Sequence, residues 1–108
     1  MSNQYDLAVQ RGMALLDEKR PGWLGHIDLT TLDLREPCRC VLGQEFGHYE
    51  DGREATDLDQ QSVVALGFDI DASTATSYPS AYYRLTRVWK RAIRARRKTQ
   101  RAASGEAG

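Results

Sequence analysis

A chain of 108 residues with 41% hydrophobic content can bury one modest core and not two, which points to a single domain with little spare stability for an elaborate buried active site. No window approaches the ~18 to 20 continuous apolar residues of a membrane span, and Met1 to Gln10 lack the basic start and apolar run of a secretion signal, so a cytoplasmic chain without membrane contact is expected. The formal net charge of zero conceals a split: residues 1–79 hold 14 acidic against 6 basic residues, net −8, and residues 80–108 hold 9 basic residues against Glu106, net +8.

Taken in chain order, Leu7, Met13, Leu15 and Leu16 with Ala8 and Ala14 recur at helical intervals between about Asn3 and Lys19. Pro21 and Gly22 end that helix. Trp23, Leu24 and Ile27 then place apolar weight in a short connector, expected as a single turn packed on the first helix. In the stretch from Ile27 to Leu34, Ile27, Leu29 and Leu32 fit a helical turn while Thr30 and Thr31 favour a strand; a short helical turn is the expectation. Pro37 suits the first position of a second helix, whose single stripe would be Cys38, Val41, Leu42, Glu45 and Phe46. Gly47 and the polar run from Glu50 to Glu54 read as a loop. Asp57 or Asp59 can cap a third helix ending near Leu66, with a buried strand around Val63 and Val64 as the competing reading. Residues 69–80 read as a loop, and the last helix is expected over 80–102. At about 1.5 Å per residue it would span about 34 Å, more than so small a domain needs, so its end should project. The remaining residues, 103–108, are small and polar and are expected to form a disordered tail.

The fold class that follows is all-α: a small single-domain bundle of about four helical segments over residues 1–102 with a long basic C-terminal helix. Its expected core comprises Leu15, Leu16, Trp23, Val41, Leu42, Phe46, Val64, Leu66, Leu85 and Trp89.

In the last helix, Tyr82, Leu85, Trp89, Ala92 and Ile93 form the face that docks on the core. Arg84, Arg87, Arg91, Arg94, Lys98 and Arg101 follow alternating steps of three and four and form a continuous cationic stripe on another face, widened by Lys90 and Arg97. The planar fork of arginine suits carboxylates and phosphates. These six residues are the candidate partner-binding site. Three readings of the stripe stand open: a solvated face that neutralises the domain's own acidic body, a surface for a protein partner with an acidic surface, and a nucleic-acid binder.

The chain's two cysteines, Cys38 and Cys40, sit too close for an unstrained intrachain disulfide and read as free thiols. With His26 and His48 they supply zinc-type side chains, but helical cysteines two apart lie about 200° apart around the axis and cannot share a metal. A Cys40 and His48 nucleophile pair would be separated by about 12 Å of helix. Asp69 and Asp71 read as turn and cap residues rather than magnesium ligands. No phosphate-loop or dinucleotide fingerprint is present, and neither a cofactor nor a metal nor a catalytic residue is expected.

The run Gly12-Met13-Ala14-Leu15-Leu16-Asp17-Glu18-Lys19-Arg20-Pro21-Gly22-Trp23, then Ile27-Asp28-Leu29, Leu32-Asp33-Leu34, Cys40-Val41-Leu42-Gly43-Gln44 with Phe46-Gly47, Ala65-Leu66-Gly67-Phe68-Asp69, and finally Leu85-Thr86 with Trp89 resembles an uncharacterised family of small proteins from actinobacteria and their phages. The resemblance covers most of residues 12 to 97. It implies a phage or prophage setting, in which small non-enzymatic proteins act on host or phage machinery, and it carries no catalytic residues over. The function expected is binding of a host or phage protein through the basic helix, with nucleic-acid binding through the same stripe as the alternative and a small metal-dependent enzyme third.

Overall fold

The computed structural model describes residues 5–73 and 77–107, the side chains of 103–107 excepted. Six helices follow in order: α1 Asp6–Lys19, α2 Trp23–His26, α3 Val41–Phe46, α4 Tyr49–Thr56, α5 Gln60–Ala65 and α6 Tyr78–Ala107, with no strand among the described residues. The all-α class holds; the count of four segments does not, because capping chemistry cuts the middle of the chain into shorter pieces.

The second expected helix does not begin at Pro37. Residues 36–39 make tight turns, Arg39 and Cys40 both donating their N–H to the Glu36 carbonyl at 3.0 and 2.9 Å. Cys40, in an extended conformation, caps α3 instead, its sulfur accepting from the Gly43 N–H at 3.2 Å. Gly47, at φ 98°, stops α3 after six residues. The next residue, His48, is again extended, and its Nδ1 accepts the Glu50 N–H at 3.1 Å, starting α4 where the sequence suggested a loop. Glu50 and Asp51 sit in its first turn, where the helix dipole favours negative charge. Its Gly52 lies so close to Leu42 of α3 that a Cβ there would stand 2.8 Å from the Leu42 side chain, so the two helices pack almost backbone to side chain. Asp57 closes α4 in the left-handed region at φ 56°. Asp59 caps α5 by accepting from the Ser62 N–H at 2.8 Å, as one of the two expected aspartates should. Val63 and Val64 are helical, not a strand, and α5 ends with Gly67 donating to Val64 and Phe68 to Val63, the paired pattern of a glycine C-terminus.

The Ile27 to Leu34 stretch is not helical. Asp28 accepts from both the backbone N–H and the hydroxyl of Thr30, at 2.9 and 2.6 Å, a local turn that competes with a helix. Gln44 of α3 clamps the segment: its amide oxygen accepts from the Asp28 N–H at 2.6 Å and its amide nitrogen donates to the Asp28 and Arg39 carbonyls. Leu32 and Leu34 are buried, and Leu34 donates its N–H to the Thr86 hydroxyl of α6 at 3.0 Å. The segment therefore lies along α6.

Helix α6 sets the long dimension, 49 Å, of a molecule 33 by 22 Å across. It starts at Tyr78, two residues before the expected start at 80, and its backbone stays helical to Ala107, past the expected end at 102 and through residues 103–107; Gly108 lies outside the described residues. Leu85, Val88, Trp89 and Ile93 are buried. Trp89 is the hub: its indole N–H donates to the Gly67 carbonyl at 2.6 Å, Phe68 stacks on it at 5.5 Å and Trp23 meets it edge-on at 6.2 Å. Of the expected core, Leu16, Trp23, Val41, Leu42, Leu85 and Trp89 are buried, while Leu15, Phe46 and Leu66 are half-buried against its edge and Val64 is only half-buried. Val9, Met13, Ile27, Phe68 and Ile70 hold interior places that the expected core omitted.

Candidate binding surface

All six residues of the stripe, Arg84, Arg87, Arg91, Arg94, Lys98 and Arg101, are exposed, as the docking of the opposite face requires. They are not equivalent. Arg91 reaches back to α1 and pairs with Asp6 at 3.1 Å. Arg96 also turns to α1, one nitrogen contacting both oxygens of Asp17 at 2.8 Å, and Asp17 in turn accepts the Trp23 indole N–H at 2.9 Å. Arg97 is spent on backbone: it donates to the Leu24 carbonyl at 2.7 and 3.0 Å and to the Ile27 carbonyl at 2.5 Å, satisfying the carbonyl end of α2. Arg87 sits over the ring of exposed Tyr83 at 5.8 Å. Among the described residues, Arg91 and Arg96 are the α6 cations held by a carboxylate, and the other seven, Arg84, Arg87, Lys90, Arg94, Arg97, Lys98 and Arg101, have none within ion-pair distance.

The 24–33 segment converts this helix face into two open grooves. One, of about 800 Å³, is lined by Leu24, Ile27 and Leu29 on one side and Arg94, Arg97, Lys98 and Arg101 on the other. The second, of about 560 Å³, continues along α6 toward its start and brings Arg35 and Arg39 to Arg87 and Lys90, beside Tyr82 and Tyr83. Arg35 and Arg39 escaped the sequence reading because nothing local links them to α6; the Leu34 to Thr86 hydrogen bond does. Arg84 and Arg91 lie outside both grooves.

Two further polar clusters join the helices, and Tyr82 places one of them at the edge of the second groove. Glu45 of α3 is buried, and its carboxylate takes the Arg20 Nε at 3.1 Å and the His26 ring at 3.2 Å, with Arg20 stacked over Phe46 at 4.8 Å. A buried carboxylate compensated in this way ties α1, α2 and α3 together. Asp69 accepts two phenol hydrogens, from Tyr49 of α4 and Tyr82 of α6, both at 2.7 Å. It acts as a clasp between helices, not as one of a pair with Asp71, whose carboxylate accepts from Ser73. Burial first, and then the bond to the Asp69 carboxylate, push both phenols far above their ordinary range.

That clasp makes stability pH-dependent with a defined sign. A phenol whose folded pKa is raised favours the folded state while protonated, so the contribution is complete below the ordinary phenol range near pH ~10 and is lost as pH rises above it. Of the chain's five tyrosines, Tyr49 and Tyr82 should ionise only as the domain unfolds. In an alkaline titration the last tyrosinate absorbance should rise together with loss of helical circular dichroism, and this coupled step should vanish in Tyr49→Phe/Tyr82→Phe. Full tyrosine ionisation in a still-helical protein would contradict the clasp.

The side chains considered for metal or nucleophilic chemistry have different surroundings. Cys40 is buried at the start of α3, burial raising its thiol to about 11, while Cys38 is exposed. They differ in environment because Cys40 caps a helix and Cys38 lies in the preceding turn, so the helical 200° argument does not apply to them. His48 is occupied at the start of α4 and His26 at Glu45. Among the described residues no three His, Cys, Asp or Glu side chains converge as metal ligands. No described helix is long and apolar enough to cross a membrane.

No family model matches the chain, and no curated protein or solved structure is significantly similar to it.

Proposed function

We propose that this protein is a non-enzymatic binding module of the cytoplasm that engages a protein partner with an acidic surface through the basic face of α6. What supports the reading is the imbalance on that helix. Seven of its nine cations have no carboxylate partner among the described residues, so most of the charge is not spent on the domain's own acidic body. Like charges held along one helix face repel one another, and an anionic partner would relieve that repulsion. The phage or prophage setting implied by the resemblance belongs to the same proposal, with a host or phage protein as the partner.

Nucleic acid is the second reading, favoured by the exposed ring of Tyr83 beside Arg87, a pairing that could stack on a base. The acidic body weighs against it, since Glu50, Asp51, Glu54, Asp57 and Asp59 are all exposed and would repel phosphates that came near α4.

Replacing Arg87, Arg94 and Lys98 by glutamate tests both readings while sparing the Arg91 and Arg96 ion pairs. The triple variant should melt like the parent, because surface substitutions of this kind change stability by only about 0.5 kcal/mol each. Capture of a partner from an actinobacterial lysate should survive nuclease and disappear in the variant. Capture abolished by nuclease would move the assignment to nucleic acid, in which case six phosphate contacts would give a log–log salt slope of about −5. Unfolding of the variant would return the stripe to an internal charge network.

A further inference from the structure

The two grooves run end to end on one side of α6. Leu29 lines the first and Thr30 the second, and α6 supplies residues 94–101 to one and 79–90 to the other. Together they draw cations from two parts of the chain, Arg35 and Arg39 from the turn before α3 and the rest from α6, while Asp33 is the carboxylate lining them. Asp33 is already engaged, accepting the Arg35 N–H at 3.0 Å. With Arg97 locked onto the Leu24 and Ile27 carbonyls, the first groove has a fixed, partly apolar floor beside exposed, uncompensated charges.

We infer that these grooves bind an extended peptide segment in which acidic and aliphatic residues alternate. This rests on the acidic-partner reading above and specifies the site and the chemistry of the segment. The fit follows from dimensions. Arg87 to Arg101 spans fourteen helical steps, about 21 Å, the length of six or seven residues of extended chain at about 3.3 Å each. Successive side chains of such a chain point to opposite sides, so every second residue can meet the half-buried Leu29, in a wall whose Leu24 and Ile27 are buried, while its neighbours reach Arg94, Lys98 and Arg101. A polyanion without apolar side chains would satisfy the cations and leave the apolar wall uncovered. The cations supply attraction and the wall supplies selectivity.

The test uses the full chain and three labelled probes read by fluorescence anisotropy at physiological salt: a heptapeptide alternating aspartate and leucine, hepta-aspartate, and a seven-nucleotide oligothymidylate. The alternating peptide should bind about tenfold more tightly than hepta-aspartate, the gain of partly burying leucine side chains. Lys98→Glu should weaken its binding about tenfold or more, and Leu29→Ser should erase the preference between the two peptides. Arg84→Glu, one turn before Arg87 and outside both grooves, should weaken binding less than Lys98→Glu does. Equal binding of both peptides overturns the groove inference and leaves the acidic-partner reading standing. Binding that is indifferent to Lys98→Glu also overturns the inference, because the site would lie elsewhere. Binding of the oligothymidylate alone, or of no probe, overturns both.

Discussion

Trp89→Ala should cost about 3 to 5 kcal/mol, the range for deleting a large buried aromatic. That is a large part of the 5 to 15 kcal/mol by which domains are usually stable. The side chain is fully buried, and its loss removes three things at once. The Gly67 carbonyl at the end of α5 loses its donor. Phe68 loses the ring stacked on it, and Trp23 loses its edge contact. The resulting void would lie where α1, α5 and α6 meet, and none of these elements can close it alone. Urea unfolding should show a lower midpoint with an unchanged slope, the signature of lost stability rather than altered compactness. Trp89→Phe divides the cost: it keeps a ring but leaves the Gly67 carbonyl unpaired, worth about 1 to 3 kcal/mol. A Trp89→Ala protein that unfolds at the parent's midpoint would mean that α6 is not anchored here.

Much of this arrangement could be read from local pattern. The charge split, the long last helix and its buried face follow from composition and a repeat near 3.6, and Leu85, Trp89 and the six exposed cations fall where that repeat puts them. Asp59 is a cap of the commonest chemistry and was visible as one. Helix α4 was not visible, because residues 49–56 have few apolar side chains and read as loop composition. Its existence depends on an imidazole cap at His48 and on Gly52 allowing close approach to α3, neither of which has a strong sequence signature. Cys40 as the cap of α3 is similarly atypical, and Pro37 drew the expected start four residues too early, at 37 rather than Val41.

The binding surface divides in the same way. Spacing along one helix identified the stripe, but pairing across the chain changed its meaning. Arg91 finds Asp6 and Arg96 finds Asp17, contacts over 85 and 79 positions that no periodicity encodes. Lys90 and Arg97, expected only to widen the stripe, become a groove wall and a backbone clamp. The grooves exist because Asp28 and Thr30 choose a local turn over a helix, which leaves the 27–34 segment free to lie along α6. A helical turn there, as the apolar spacing suggested, would have removed the surface on which the functional proposal depends.

Gly12→Ala should be damaging, although it adds a single methyl group to a helix interior. In an exposed helix interior, alanine gains about 1 kcal/mol over glycine, so propensity alone predicts a more stable protein. Packing predicts the opposite. A Cβ on Gly12 would stand 2.1 Å from the Leu66 carbonyl oxygen and 3.1 Å from two atoms of the Trp89 ring. The first obstacle is backbone, fixed by the hydrogen bonds that end α5, and the second is a fully buried ring held by a hydrogen bond and two aromatic contacts. Neither can yield by changing a rotamer, so α1 must move away from α5 and α6. Overpacking of this kind costs about 1 to 3 kcal/mol and more where backbone must shift. The net effect should be a loss of about 2 kcal/mol, read as a lower urea midpoint. Gly25→Ala provides the contrast: Gly25 is also helical, in α2, but its added Cβ meets nothing within 4 Å. It should leave stability unchanged or slightly raised. If both alanine variants unfold at the same urea concentration, α1 does not approach Leu66 and Trp89 as closely as these distances require.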